Sequence, residues 1–200
     1  MKYPAGFTGS KNHSINYANR GMNFEADINI TNDYYLKEDI AVIYKKPTPI
    51  TINKVDYKSR IDAVIREAHF KTPSTTDYNG IYKGKYIDFE AKETKLKYFP
   101  LSNIHSHQVL HLRKIIEHGG IGFILVNFIK YDKIYLLLGN DLFNFIDNEA
   151  RKSIPIEYFE KYGYEIKPKY NPRIDYLCII DQICFKGVLS WKIFGKIKII

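Results

Sequence analysis

The chain has 200 residues, a net charge of +8 and a pI near 9.2. That length suits one domain with a sizeable core, and the cationic surplus favours a polyanionic partner such as nucleic acid or an anionic membrane surface. No apolar stretch reaches the roughly 20 residues needed to span a bilayer, so membrane insertion is not expected.

Residues 1–20 include Lys2, Lys11 and Arg20 but lack the apolar segment and small-residue cleavage site of a signal peptide, and read as a polar, mobile arm. Residues 22–37 predict a helix, because Phe24, Ile28 and Tyr35 recur on a rough helical period among polar residues. Glu25 falls at the start of that helix, where an acid interacts favourably with the macrodipole. Residues 40–44 predict a strand. From Lys45 to about Phe70 the core pattern is interrupted, opening with Pro47 and Pro49 and continuing through Lys54, Lys58 and Arg60. The Ile50 and Ile52 alternation changes phase at Val55 and Tyr57, which predicts a projecting, bulged hairpin. Its cations suit phosphate contacts, or serve to discourage edge-to-edge aggregation.

Residues 75–92 are the most informative stretch. In an extended strand, Ile87, Phe89 and Ala91 face one way and Asp88, Glu90 and Lys92 the other. If Lys83 and Gly84 form the two-residue turn of a hairpin, Asp77 stands opposite Glu90. Asn79-Gly80 is a competing turn signal that would change the register. Two facing carboxylates are destabilising unless a positive charge lies between them, and a divalent cation is the obvious candidate. Mg²⁺ prefers oxygen ligands and commonly takes one or two carboxylates with water and phosphate. Lys92 is then placed to orient a nucleophile or neutralise charge on phosphorus. The alternative is a solvated hairpin of mixed charge.

Residues 104–118 predict a helix carrying His105, His107, Gln108 and His111, stopped by Gly119-Gly120. His107 and His111 at i, i+4 raise a zinc reading, but no glutamate follows His107 and no cysteine lies nearby. Residues 121–129 and 133–138 predict interior strands joined near Tyr131-Asp132, with Asn140 or Asp141 capping the next helix. Pro155 and Pro168 punctuate the last third, and Pro172 is expected in the first turn of a final helix. Cys178 and Cys184, the two cysteines, are expected as reduced, buried thiols in a cytoplasmic protein, near the nucleoid if DNA is the partner. The apolar and basic tail, residues 191–200, reads as a short added strand or a disordered end. The whole is a mixed α/β pattern without internal repeat or low-complexity linker.

Asp77 followed by Glu90-Ala91-Lys92 resembles the D…(D/E)xK signature of the PD-(D/E)xK nucleases. Arg20-Gly21-Met22, Tyr44-Lys45-Lys46-Pro47-Thr48-Pro49, Ser74-Thr75-Thr76-Asp77-Tyr78-Asn79-Gly80, Tyr86-Ile87-Asp88-Phe89-Glu90-Ala91-Lys92-Glu93-Thr94, His107-Gln108 and Pro172-Arg173-Ile174-Asp175-Tyr176 resemble, in order, the Holliday junction resolvase RecU family. The resemblance implies a restriction-endonuclease-like mixed sheet flanked by helices, with a protruding basic stalk at about residues 45–70 in a single nuclease domain of residues 21–190. It implies Mg²⁺, or Mn²⁺ as a substitute, held by Thr75, Asp77, Glu90 and Gln108, with Lys92 stabilising the transition state and Glu25 near the site. It further implies a homodimer on four-way junction DNA, with Lys45, Lys46 and Arg60 as DNA contacts. The strand-exchange recombinase and branch-migration machinery are the candidate associates. The expected function is metal-dependent resolution of Holliday junctions in recombination and repair. A restriction or repair nuclease of the same superfamily, and a non-catalytic protein that binds branched DNA and regulates the recombinase, are the alternatives.

Overall fold

A computed structural model describes residues 24–57, 59, 61–71 and 75–185. The proposed arm at 1–20, the stalk residues Lys58 and Arg60, and the tail at 191–200 lie outside the described residues. Ten strands and five α-helices are described: α1 (Phe24–Lys37), β1 (Val42–Lys45), β2 (Ile50–Asp56), β3 (Val64–Phe70), β4 (Tyr78–Tyr82), β5 (Lys85–Thr94), β6 (Tyr98–Pro100), α2 (Ser106–Glu117), β7 (Ile121–Phe128), β8 (Lys133–Leu138), α3 (Gly139–Asn148), β9 (Ser153–Pro155), α4 (Ile156–Tyr162), β10 (Tyr164–Ile166) and α5 (Tyr176–Cys184).

The main sheet has the order β1-β4-β5-β7-β8-β10. Only β5 and β7 run parallel, and their connection carries α2 across one face. The other neighbours are antiparallel, giving a mixed sheet. Both faces are covered. On one, Ile43, Tyr78, Ile87, Phe89, Phe123 and Leu125 pack with α1 and α5; on the other, Ile124, Val126 and Leu137 pack with Leu112 of α2, Leu142 of α3 and Phe159 of α4. Phe89 sits between Tyr78 and Phe123 in near-parallel stacks with centroids 4.8 and 4.7 Å apart. These rings fix the middle of the sheet through buried area and offset stacking.

The turn between β4 and β5 is Lys83-Gly84, both with positive φ (48° and 74°), the backbone of a tight hairpin turn matched to strand twist. Pairing runs from Tyr82↔Lys85 to Tyr78↔Phe89, which is the register expected from that turn. Gly80 lies inside β4, and the reason is contact rather than turning. A Cβ there would come within 2.1 Å of the Val42 carbonyl oxygen of β1.

β2 and β3 form a separate two-stranded hairpin with register shifts around Lys54, and every residue of both strands is exposed. The expected bulge is therefore present. Its outgoing leg follows Lys46 and its base is closed by Lys71 N donating to the Pro49 carbonyl at 3.0 Å.

Three local expectations are corrected. Neither Asn140 nor Asp141 caps α3; β8 runs directly into that helix from Leu138, and both residues lie in its first turn. Pro172 precedes α5 rather than opening it, because Asp175 is the N-cap and accepts from Cys178 N at 3.4 Å. Both cysteines are exposed, since α5 turns Tyr176, Leu177, Ile179 and Ile180 into the core instead.

Candidate active site

The hairpin register delivers two carboxylates to one place. Asp77 lies one residue before β4, and its backbone N–H donates to Glu90 Oε2 at 3.0 Å. Ala91 N–H reaches back to Asp77 Oδ2 at 3.5 Å. Glu90 is fully buried on the α2 face of β5, where Gln108 Nε2 donates to its Oε1 at 2.7 Å. Lys92 contacts both acids, directly at Glu90 Oε1 and at 3.7 Å from Asp77 Oδ2.

Burial, and then the neighbouring Asp77 charge, push the Glu90 carboxyl up to about 7 against the opposing pull of Lys92. Burial works against the Lys92 ammonium as well, but Glu90 and Asp77 outweigh it and hold its pKa above the usual lysine value. A buried acid that resists ionisation beside a second acid gains from added positive charge. That donor set of hard carboxylate oxygens fits a divalent cation such as Mg²⁺ or Mn²⁺. Among the described residues, no group of three or more His, Cys, Asp or Glu side chains is arranged to hold a metal. Two carboxylates completed by water and phosphate oxygens match the coordination habit of Mg²⁺.

Residues 19–182 match the RecU family, described as Recombination protein U. The chain belongs to the RecU family. The Holliday junction resolvase RecU of a Geobacillus species is 50% identical over 197 residues, covering 92% of this chain and 98% of that relative. The protein of the same description from Bacillus cytotoxicus is 52% identical over 182 residues, covering 89% of this chain and 90% of its own. A likeness to the solved Archaeoglobus fulgidus Hjc, a Holliday junction resolvase from an archaeal hyperthermophile, has a TM-score of 0.42 and 10% identity over 69% of this chain and 94% of that one, and is too slight to carry an argument.

Within this RecU-family chain, Asp77, Glu90, Lys92 and Gln108 are brought together. Gln108 presents its amide nitrogen to Glu90 while its Oε1 accepts from His105 N at 2.9 Å, so an oxygen contact to a metal requires the side-chain amide to turn over. Thr75 is half-buried two residues before Asp77 and makes none of the hydrogen bonds in this cluster. Glu25 lies on the first turn of α1, paired with Lys45, and its carbonyl accepts from Tyr78 OH at 3.3 Å. Burial and then the charges of Glu25, Asp77 and Glu90 raise the Tyr78 hydroxyl's pKa, which places Glu25 within electrostatic reach of the same ring as the two central acids.

The three expected DNA contacts separate. Lys45 is exposed and engages Glu25, and Arg60 lies outside the described residues. Lys46 departs from the expectation of a phosphate contact. Its side chain is turned inward, 18% exposed, with Nζ 2.7 Å from Asp88 Oδ2 and 2.9 Å from Thr76 Oγ1. A cation matched to a buried carboxylate is poorly placed to exchange it for a backbone phosphate.

The two helix histidines expected to share a face also separate: His107 stacks on His105 with centroids 5.3 Å apart, whereas His111 Nε2 lies 3.2 Å from Asp88 Oδ2. Sequence reasoning passed over Asp88 as a site residue. Its place on the same strand face as Glu90 was the available signal, but only the folded chain shows four partners gathered around it.

Proposed function

We propose that this protein is a structure-selective, metal-dependent endonuclease that resolves four-way DNA junctions in recombination and repair. The observation that carries the reading is the Asp77–Glu90 pair held against Lys92 by the hairpin register, in a RecU-family chain with a net charge of +8. Asp77 and Glu90 would hold Mg²⁺ or Mn²⁺, with Gln108 and Thr75 completing the surroundings directly or through water. When bound, such an ion polarises the phosphodiester and lowers the pKa of a coordinated water.

The remaining work falls to the chain. Gln108 fixes the Glu90 carboxylate from α2, and the Asp77 N–H fixes it from β4, so its oxygens keep one orientation. Lys92 stays protonated between the acids and is placed to neutralise charge developing on phosphorus as the bond to the 3′-oxygen breaks. The exposed β2–β3 hairpin acts as the stalk that enters the branch point, with Lys45 and Arg60 meeting phosphates. Such contacts position the substrate rather than read its bases. Two incisions on strands of like polarity call for two equivalent sites, so we assign the working form as a homodimer. It acts at the nucleoid alongside the strand-exchange recombinase and branch-migration machinery. None of the described helices is long and apolar enough to cross a membrane.

Incubation of the purified protein with a labelled four-way junction and a matched linear duplex, with Mg²⁺, Mn²⁺ or chelator, tests substrate and chemistry together. Metal-dependent paired incision of the junction is expected. Preferential cleavage of the duplex, or cleavage undiminished by chelator, would overturn the reading.

A further inference from the structure

Asp88 is fully buried and stands two residues before Glu90 on the same face of β5. An isolated carboxylate there would be costly, and this one is surrounded by donors. Its Oδ2 accepts from Lys46 Nζ at 2.7 Å and Tyr86 OH at 3.2 Å, and lies 3.2 Å from His111 Nε2. Its Oδ1 accepts a hydrogen bond from Thr76 Oγ1. Lys46 Nζ also donates to Thr76 Oγ1, closing a triangle of Lys46, Thr76 and Asp88.

The chain positions of these partners give the triangle its meaning. Lys46 is the last residue before Pro47, where the chain leaves the main sheet for the β2–β3 hairpin. Thr76 lies on the returning leg, immediately before Asp77. The Lys46 N–H meanwhile donates to the Asp77 carbonyl at 2.8 Å. Both roots of the hairpin are therefore fastened to one buried carboxylate on the strand that carries Glu90 and Lys92. α2 is also fastened to this strand at two points, Gln108 to Glu90 and His111 to Asp88.

We infer that Asp88, with Lys46 and Thr76, is a positioning clamp that sets the hairpin's orientation relative to the Asp77–Glu90 pair. On the proposed function, on which its catalytic consequence rests, the clamp fixes which phosphodiester of a junction held by the hairpin reaches the carboxylates. A rigid join is needed because catalysis is sensitive to displacements of about 1 Å, while a hairpin tethered only by backbone at its two roots is free to swing. The proline-flanked outgoing leg limits bending but sets no direction by itself. The charge-assisted bonds to Asp88 supply that direction.

The decisive experiment uses the full chain carrying Lys46→Met with Asp88→Asn, a pair that removes both charges together and so leaves no unmatched buried ion. Thr76→Val is the second, independent variant. In a Cys178→Ser, Cys184→Ser background, spin labels at Ile61→Cys on the hairpin, where the residue is 96% exposed, and at Lys161→Cys on α4 report the hairpin's orientation. A narrow distance distribution is expected for the parent background and a broadened one for both variants. In unlabelled protein, the variants should keep the parent's Mn²⁺ affinity while the single-turnover incision rate falls about 100-fold and cuts spread to neighbouring phosphodiesters. A distribution as narrow as the parent's, or a broadened one with an unchanged incision map, overturns the inference. If the parent leaves four-way junctions intact under every metal condition, the proposed function fails. The distance distributions still decide the clamp.

Discussion

The middle of the main sheet and the β2–β3 hairpin use charge in opposite ways. In the sheet, Asp88 and Glu90 are wholly buried and every oxygen is met by a donor, so the charges are held in fixed directions. In the hairpin, all seven residues of each strand are exposed, and pairs such as Arg66–Asp56 at 2.5 Å sit in solvent. An exposed ion pair contributes roughly 0–1 kcal/mol and is screened by salt. A buried one strongly penalises the loss of either partner. Fixed charge is what a reacting centre needs, and exposed cations are what a long, negatively charged ligand can use. Lys45 and Lys46, adjacent in sequence, fall on either side of this division.

The largest expected effect breaks the buried side. Asp77→Asn and Glu90→Gln each remove one carboxylate charge of the proposed metal site with little change of shape, and should lower junction incision by about 1000-fold or more while binding is retained. Single-turnover assays beside gel-shift measurements check this, and undiminished cleavage by both variants would remove the proposed site. Lys92→Ala should slow the chemical step by about 100-fold with metal affinity changed much less. Equal single-turnover rates for variant and parent would reject its role at phosphorus.

A smaller effect sharpens the meaning of burial. Without metal, folded Glu90 releases its proton only near about 7, whereas the unfolded chain does so in the ordinary carboxylate range. Between those values the folded state binds more protons, so this residue's effect is a loss of stability as pH rises, levelling off above the folded value. Glu90→Gln is neutral throughout and escapes that loss. In chelator the stability difference between Glu90→Gln and the parent should shift in the variant's favour by about 3 kcal/mol from the acidic carboxylate range to alkaline pH. Urea unfolding across the range measures the difference, and a gain that grows toward acid pH would contradict the sign.

The smallest effect is on the exposed side. Lys45→Ala with Arg60→Ala should reduce preference for a four-way junction over linear duplex by about ten-fold or less, compared at matched ionic strength. Equal losses on both substrates would make the hairpin a general electrostatic surface. Thermal stability should barely move for Lys45→Ala alone, because that side chain is exposed and empties no packed core.

Much of this arrangement was legible in one dimension. Alternation of Ile87, Phe89 and Ala91 with Asp88, Glu90 and Lys92 needs only the two-residue period of a strand, and the family resemblance gave that face its expected role as a nuclease site. The positive-φ turn at Lys83-Gly84 needed the third dimension to prevail over Asn79-Gly80. Gly80 instead lies inside β4, where the close approach of β1 leaves no room for a Cβ. Local pattern also marked the hairpin by its prolines and shifted phase, since bulges leave a trace in the order of residues.

Partner choice for charged side chains left no such trace. Nothing in Lys45-Lys46 distinguishes one lysine that faces solvent from one that enters the protein. The difference arises when β4, β5 and α2 bring Thr76, Asp88 and His111 to one point from distant places in the chain. The sequence by itself determined the strand faces and the family, and offered the pairing of Asp77 with Glu90 as one of two registers. Only the tertiary structure decided which charges are buried and which ones they meet, because desolvation and pairing depend on neighbours that are close in space and remote in sequence.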